Sequence, residues 1–354
     1  MSIPNNEKLV RFILFCVIIV LTTSALPQVV ELASFHVGRE AYTCFQTGRY
    51  TMVVSRELRS VSIIDQQSLK LKKTFGLGLV TPVDVASDGH RVYVSDAARN
   101  AVIVYDMEGN VLASVRVNPS PSAILLNKGK LYVSSSKVGY IWVIDLKRLK
   151  VERRIETEYP TPFFGFLNSG EFYYLNYKNY VPGLSRESNL VLQIGDRIYR
   201  GKIAGPRFLV ESNYGILVVG FYDGKIGRVG TTVLSIENSV APYVSDVVEF
   251  AGAIVASSLS SKKLSVLEPI LMRQYMYVQT AGKPVDMAVS KDGKYLFVLT
   301  QNADAVEIYD SHFRKLWNVS VGRYPIRVMP IGKNRFGVLC ADSGTFTIFE
   351  IEED

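Results

Sequence analysis

Hydrophobic and polar positions alternate regularly in the stretch between residues 284 and 321. Its four apolar runs are rich in Val, Ile, Tyr and Phe, and they cover 285–289, 295–300, 305–309 and 316–321. Polar turns separate the runs, among them Lys291-Asp292-Gly293-Lys294. Short β-branched and aromatic runs between turn residues predict a four-stranded antiparallel meander. One such sheet cannot bury both faces, so it needs neighbouring copies of itself.

Copies of this pattern occur along nearly the whole chain, and the stretch 82–117 repeats it most closely. The first residues of successive copies lie 38 to 44 residues apart, at Ala41, Pro82, Pro121, Pro162, Pro206, Val244, Pro284 and Pro325. A period near 40 with four strands per unit is typical of a β-propeller. We therefore predict an all-β fold with eight blades. Seven blades is the alternative, if one irregular repeat in the middle is absorbed elsewhere.

Similar residues recur at equivalent positions of the repeats. They are the second-strand runs at 92–96, 131–135 and 296–300 and the third-strand endings Asp65, Asp106, Asp145 and Asp310. These residues resemble the YVTN-type propeller repeat, a relative of the NHL and quinoprotein-like propellers. The resemblance covers nearly all of the chain after about residue 35 and is weakest over 162–204 and 206–238. It implies an architecture and no particular chemistry. We expect the third-strand aspartates to bond the backbone of the turn that follows each one.

The two ends of the repeat region complement each other. The last repeat supplies only three apolar runs, whereas the segment 29–37 looks like the missing fourth. We predict that this amino-terminal strand completes the last blade, which closes the ring and removes two exposed sheet edges.

The amino terminus carries an export pattern. Lys8 and Arg11 precede a wholly apolar run at 12–21, and small residues follow at 22–25. This order is typical of a secretory signal, here cleaved after Ala25. The alternative is an uncleaved membrane anchor, because an apolar segment of this length can span a bilayer. We therefore assign 1–27 to a signal peptide or anchor and 28–354 to the propeller, and predict that the propeller lies outside the cytoplasm, secreted or anchored.

The charge of the chain does not point to a particular ligand. The net charge of +7 is spread along the sequence without a basic block. A dispersed charge of this size is typical of a solvated surface, so no nucleic-acid partner is predicted.

Motifs of several cofactor classes are missing from the sequence. The three histidines, His36, His90 and His312, have no metal-ligand spacing, and no Cys-x-x-Cys-His occurs. This argues against copper propellers and covalently attached haem. The repeated Trp motif of quinone-cofactor dehydrogenases is also missing, since Trp142 and Trp317 are the only tryptophans. No cofactor is predicted, with Ca²⁺ as the alternative.

Four polar residues lie two positions past the start of their repeats: Asp84, Asp246, Asp286 and Arg327. This position lies on the innermost strand, which lines the central channel of a propeller. Three carboxylates can hold a hard cation such as Ca²⁺. Propeller lactonases, which the repeats resemble, use acidic and amide residues around a metal in this region. The other interpretation is a hydrated channel, or side chains that bond exposed backbone.

The fourth repeat contains an insertion at about 176–189, in which Tyr177 and Tyr180 lie. Exposed aromatic residues on a long loop can stack on a sugar or anchor a protein, so we predict a partner-binding loop here, with ordinary packing as the alternative.

Cys44 and Cys340 lie on the first and last blades, which are neighbours in a closed ring. A disulfide between them would staple the closure, although two separate buried thiols are the favoured interpretation because bridge geometry is strict. Asn318 begins the one glycosylation sequon, Asn318-Val319-Ser320.

These observations together predict an exported, non-catalytic propeller that acts as a scaffold and binds an envelope protein or glycan. An uncleaved amino terminus would add a membrane contact. The alternative is an extracytoplasmic enzyme or cofactor carrier, similar to lactonases or to haem and quinone propellers, with its site at the channel mouth.

Overall fold

The residues that the structure describes form a ring of sheets built from strands and their connections. The computed structural model describes residues 28–161, 163–177, 189–230 and 234–352, and the predicted signal or anchor segment lies outside this part of the chain. Thirty-two strands form eight four-stranded sheets, each ordered as an antiparallel meander. No helix long and apolar enough to cross a membrane occurs in the described ranges.

The first strand, β1 (Gln28–His36), belongs to the last blade. Blade 1 contains β2 (Ala41–Thr47), β3 (Tyr50–Ser55), β4 (Ser60–Asp65) and β5 (Lys70–Phe75). Blade 2 contains β6 (Pro82–Ser87), β7 (Arg91–Asp96), β8 (Ala101–Asp106) and β9 (Val111–Arg116). Blade 3 contains β10 (Pro121–Asn127), β11 (Lys130–Ser135), β12 (Tyr140–Asp145) and β13 (Lys150–Glu156). Blade 4 contains β14 (Phe163–Phe166), β15 (Phe172–Tyr177), β16 (Asn189–Ile194) and β17 (Arg197–Lys202).

Blade 5 contains β18 (Pro206–Ser212), β19 (Gly215–Gly220), β20 (Lys225–Val229) and β21 (Leu234–Ser239). Blade 6 contains β22 (Val244–Phe250), β23 (Ala253–Ser258), β24 (Lys263–Leu267) and β25 (Gln274–Gln279). Blade 7 contains β26 (Lys283–Val289), β27 (Leu296–Gln301), β28 (Ala305–Tyr309) and β29 (Lys315–Ser320). Blade 8 contains β30 (Pro325–Pro330), β31 (Arg335–Cys340) and β32 (Thr345–Glu352), and β1 completes it.

The ring closes through the two ends of the chain, as predicted. Strand β1 pairs antiparallel with β32, from Gln28 opposite Glu352 to His36 opposite Thr345. This closure confirms the count of eight blades. The four strands predicted between residues 284 and 321 are confirmed as β26 to β29, with boundaries within two residues of the expected ones.

Apolar side chains from neighbouring blades interlock to form the core. The second and third strands of each regular blade are almost wholly buried, as in β7 and β8. Between blades 7 and 8, the ring of Phe336 stacks on Phe297 at 4.5 Å and on Phe349 at 5.2 Å. Each blade therefore buries its faces against copies of itself, which is why one repeat alone would not be stable.

The third-strand aspartates cap their turns, as predicted. In Asp145, Oδ1 accepts the N–H groups of Lys147 and Arg148, both at 2.9 Å. The N–H of Arg148 and the ammonium of Lys130 hold the pKa of Asp145 below its usual range. The same two- to four-residue bonding occurs at Asp65, Asp106 and Asp310. These acids are structural.

Candidate functional site

The four predicted channel residues all lie on innermost strands. Asp84 is on β6, Asp246 on β22, Asp286 on β26 and Arg327 on β30. In each of these blades the register between the first and second strands slips just before this residue. The slip is a β-bulge, which bends the strand and re-aims the side chain that follows it.

Each of the three carboxylates bonds the first strand of the next blade. Asp84 Oδ2 accepts the N–H of Ile124 at 2.9 Å, and Asp246 Oδ2 accepts that of Met287 at 2.8 Å. Asp286 Oδ2 accepts the N–H of Val328 at 2.8 Å. An innermost strand has a free edge, so its buried N–H groups need partners from outside the ladder. The bonds match the second interpretation of these residues, in which side chains satisfy exposed backbone.

The surroundings of the carboxylates disfavour their charged forms. Burial raises the pKa of Asp84 to about 6. Burial and the charge of Asp286 raise the pKa of Asp246 to about 7. Burial raises the pKa of Asp286 to about 6, against the opposing effects of Arg327 and the Val328 N–H. The three groups therefore titrate near neutral pH, because burial takes each carboxylate out of water, and a like charge adds to this effect at Asp246.

Arg327 is the cation of this cluster. Its Nη1 lies 3.4 Å from Asp286 Oδ1, and 59% of its side chain is exposed. The charge of Asp286 raises the pKa of Arg327, with smaller effects from Asp246 and Asp84. In the described ranges no group of three or more His, Cys, Asp or Glu side chains is arranged to hold a metal ion. The carboxylate oxygens that a cation would need accept backbone N–H groups here.

The axis-lining position is polar on one side of the ring and apolar on the other. In blade 1 it is occupied by Thr43, whose hydroxyl lies 3.2 Å from Asp84 Oδ1. In blades 3, 4 and 5 it is occupied by Ala123, Phe164 and Phe208, which have no carboxylate to offer the next strand. The apolar side includes blades 4 and 5, the two repeats that depart from the regular pattern. A cluster of aromatic side chains lies where blade 5 meets blade 6.

Three aromatic side chains meet above blades 5 and 6, on the face that carries the connections between second and third strands and between successive blades. We call this face the upper face and the cluster of Phe221, Tyr222 and Tyr243 the aromatic platform. The ring of Phe221 lies 4.9 Å from that of Tyr222 and 5.7 Å from that of Tyr243. The guanidinium of Arg207 lies 4.9 Å from the centre of the Phe221 ring.

Backbone bonds hold the platform in place from both sides. The N–H of Phe221 donates to Gly205 O at 2.8 Å, and its carbonyl accepts the N–H of Val244 at 3.0 Å. Gly205 has φ +60, and a Cβ there would lie 2.5 Å from Cδ2 of Tyr222. The glycine therefore makes room for the Tyr222 ring in a left-handed conformation that other residues adopt at a cost.

Tyr243 occupies in blade 6 the same left-handed position that Gly205 occupies in blade 5. Its φ is +60, and 47% of the residue is exposed. The residue just before the first strand is also left-handed at Glu40, Ser120 and Tyr324. This loop geometry therefore belongs to the scaffold, and individual blades use it to present different side chains on the upper face.

Sequence reasoning missed the platform, although a signal for it exists. The turn between the second and third strands is polar in most blades but reads Phe221-Tyr222-Asp223-Gly224 in blade 5. The contact with Tyr243 could not be predicted, because it joins residues of two blades.

The structure says less about the predicted partner-binding loop, disulfide and glycosylation site. The side chain of Tyr177 and all of Tyr180 lie outside the described residues. Cys44 and Cys340 are free thiols in different core clusters, so the bridge is not formed in this structure. Asn318 is exposed on the outer strand β29, and its glycosylation stays a prediction.

A cavity of about 600 Å³ lies away from the channel, between blades 2 and 3 on the opposite, lower face. Arg91 and Lys130 line it, but Arg91 Nη1 donates to Leu146 O at 2.8 Å and Lys130 Nζ pairs with Asp145 at 3.1 Å. Asp145 thus partly neutralises Lys130, and a backbone carbonyl engages Arg91, so the cavity is a weaker candidate than the platform.

Known structures resemble this fold along most of its length. No family model matches the sequence, and no curated protein matches it. The computationally designed Ika8 protein has a TM-score of 0.71 and 12% identity, covering 91% of this chain and 99% of its own. BamB from Moraxella catarrhalis has a TM-score of 0.67 and 13% identity, covering 92% and 99%. Hydrazine synthase of Kuenenia stuttgartiensis has a TM-score of 0.58 and 17% identity, covering 92% and 99%.

The chain is an eight-bladed β-propeller. The resemblance to quinoprotein-like and YVTN-type propellers is confirmed for the fold. At identities this low, the activity of one protein cannot be inferred for another, since propellers serve as scaffolds for unrelated functions.

Proposed function

We propose that this propeller is a binding scaffold outside the cytoplasm and that it holds a protein partner on its upper face. The observation that supports this proposal is the aromatic platform, which two blades assemble and backbone bonds immobilise. Aromatic and Arg side chains contribute most to the affinity of protein interfaces, and rigid ones lose little entropy on binding. The placement outside the cytoplasm rests on the apolar amino-terminal run that follows Lys8 and Arg11.

Aliphatic side chains on the same face favour a protein over a glycan. Leu77 is 75% exposed and Leu58 is 49% exposed, both in upper-face connections of blade 1 and its link to blade 2. Tyr324, at the left-handed position of blade 8, is also exposed. A sugar is recognised by aromatic faces together with polar groups, whereas exposed aliphatic side chains offer its hydroxyl groups no hydrogen bonds and can be buried by a protein partner.

Site-specific crosslinking tests the binding surface. A photocrosslinking phenylalanine analogue placed at Tyr243 should form an adduct with one protein in the native envelope fraction. The matched control is the same analogue at Tyr214, which is 38% exposed on the lower face and should give no such adduct.

The affinity of the captured protein then decides the role of the platform. Tyr243→Ala should weaken its binding to the propeller at least tenfold, about 1.4 kcal/mol, with Tyr214→Ala unchanged. Equal effects of the two substitutions would contradict a site on the upper face. Binding to an envelope glycan that Tyr243→Ala abolishes, without any protein adduct, would replace the protein by a sugar.

Export is tested separately. A reporter enzyme that folds only outside the cytoplasm, fused after Asp354, should be active, and its activity should fall when Val17 and Ile18 are changed to Lys. An active reporter without the intact apolar run would show that the amino terminus does not direct export.

A further inference from the structure

The outer strands of the eight blades differ in how they protect their free edges. An unpaired strand edge offers N–H and C=O groups to another strand, and charged side chains on it discourage such pairing. Strand β5 carries Lys70, Lys72 and Lys73, and β13 carries five charged residues. Among the outer strands that the structure describes, β25 alone contains no charged residue, with the sequence Gln-Tyr-Met-Tyr-Val-Gln.

Strand β25 also presents large side chains and free backbone groups. Tyr275 is 58% exposed and Tyr277 is 59% exposed. The N–H of Thr280 donates to Lys262 O on the β24 side at 2.9 Å. Because backbone direction alternates along a strand, the N–H and C=O of Tyr277 and the N–H of Gln279 point away from β24. The C=O of Gln279 accepts the hydroxyl of Tyr309 at 3.5 Å. The outward-pointing groups leave the outer edge of β25 open to hydrogen bonds with a further strand.

The loop before β25 is rigid and exposes two further apolar residues. Ile270 is 65% exposed and Leu271 is 70% exposed. Their N–H groups donate to the carboxylate of Glu268 at 2.8 and 2.7 Å, and Arg228 Nη2 lies 3.0 Å from Ile270 O. The apolar surface beside the edge is therefore held by the fold, with no loose loop tip.

We propose that β25 pairs antiparallel with β25 of a second copy of this chain, around a two-fold axis that passes by Tyr277. In this register Tyr277 faces Tyr277 of the second copy, and Gln279 faces Tyr275 in both directions. The surface is self-complementary, as a two-fold interface requires, and aromatic cross-strand pairs stabilise such sheets.

Charge explains why this edge is suited to self-association and its neighbours are not. Each copy carries a net charge of +7, so two copies approach best where the pairing strands themselves carry no charged side chain. The same arrangement at β5 would set lysines against lysines, which is destabilising. Lys263 lies beside the edge on β24 with Nζ 5.3 Å from the centre of the Tyr277 ring, where the aromatic ring stabilises its charge.

Cysteine crosslinking tests the register directly. In the full chain, Tyr277→Cys should give a covalent dimer under mild oxidation, because directly opposed residues lie about 5.5 Å apart between Cα atoms. The matched control is Leu71→Cys on β5, which is 41% exposed and should stay monomeric. Equal crosslinking of the two variants would overturn the proposal.

Mass measurement tests the association without a crosslink. The unmodified chain should have twice the monomer mass by light scattering at micromolar concentration, and Tyr277→Lys should halve it while leaving the circular dichroism spectrum unchanged. A wild-type chain that stays monomeric up to about 100 µM would overturn the proposal, as would a dimer that Tyr277→Lys does not dissociate.

Discussion

The first strands of successive blades are joined differently on the two sides of the ring, as a comparison of blades 6 and 7 with blades 4 and 5 shows. In blades 6 and 7 the axis-lining residues, Asp246 and Asp286, bond the first strand of the next blade. In blades 4 and 5 the same position holds Phe164 and Phe208, which fill space without bonding that strand. The acidic side thus joins blades by directed hydrogen bonds. The aromatic side depends on packing, which leaves the sequence of its upper connections free to build the platform.

Removing one carboxylate should have the largest effect on stability and tests whether the acidic side depends on these hydrogen bonds. Asp286→Ala leaves the N–H of Val328 buried without its acceptor, which should lower the free energy of unfolding by about 1–3 kcal/mol. Urea unfolding at pH 5, below the pKa of about 6 for Asp286, measures this loss without the cost of a buried charge.

The control for this variant is Ala123→Ser, at the equivalent position of blade 3. No side-chain bond to the next blade is lost there, so stability should change by less than about 0.5 kcal/mol. If Asp286→Ala were as mild as this control, the carboxylates would not be the link between blades.

A second substitution tests the aromatic side. Gly205→Ala combines a left-handed φ of +60 with a Cβ that would lie 2.5 Å from Tyr222 Cδ2. We expect a loss of stability of more than about 1–2 kcal/mol, the cost of the left-handed conformation alone, and weaker partner binding. The change is measured by thermal unfolding and by the affinity of the captured protein.

Gly129→Ala separates the cost of the left-handed backbone conformation from the cost of crowding the ring of Tyr222. Gly129 has φ +73 but no atom near the position of a new Cβ, so only the conformational cost should appear, with binding unchanged. A loss as large at Gly129 as at Gly205 would show that the ring of Tyr222 yields without cost.

A third effect is the pH dependence of stability. The pKa of Asp246 is raised to about 7 and those of Asp84 and Asp286 to about 6, above the unfolded value of about 3.9. Folding therefore favours the protonated carboxyls. This stabilisation is complete below about pH 4 and is lost as pH rises toward 7, because the unfolded chain releases its protons first.

Asp246→Asn should reduce that loss by up to about 3 kcal/mol between pH 4 and pH 7, because the shift of its pKa from about 3.9 to about 7 is roughly three pKa units. Urea midpoints at pH 4, 5, 6 and 7 measure the two slopes. A wild-type chain that gains stability over this range would contradict burial as the dominant influence on these carboxyls.

Much of the molecule could be predicted from local patterns. The repeat starting at Pro284, the closure by residues 29–37 and the capping role of Asp145 all depend on residues close in sequence or on the repeat itself. The axis position of Asp84, Asp246 and Asp286 followed from the same periodicity. Their hydrogen-bond partners did not, because Ile124, Met287 and Val328 lie about 40 residues further along the chain.

By itself the sequence determined the eight-bladed fold, because strand alternation and turn chemistry act over a few residues and repeat at a constant interval. Only the tertiary structure decided which contacts the axis-lining carboxylates and the platform residues make. The twist between blades brings each carboxylate to the next strand and Tyr243 to Phe221. Such contacts depend on how blades pack, which no local pattern encodes.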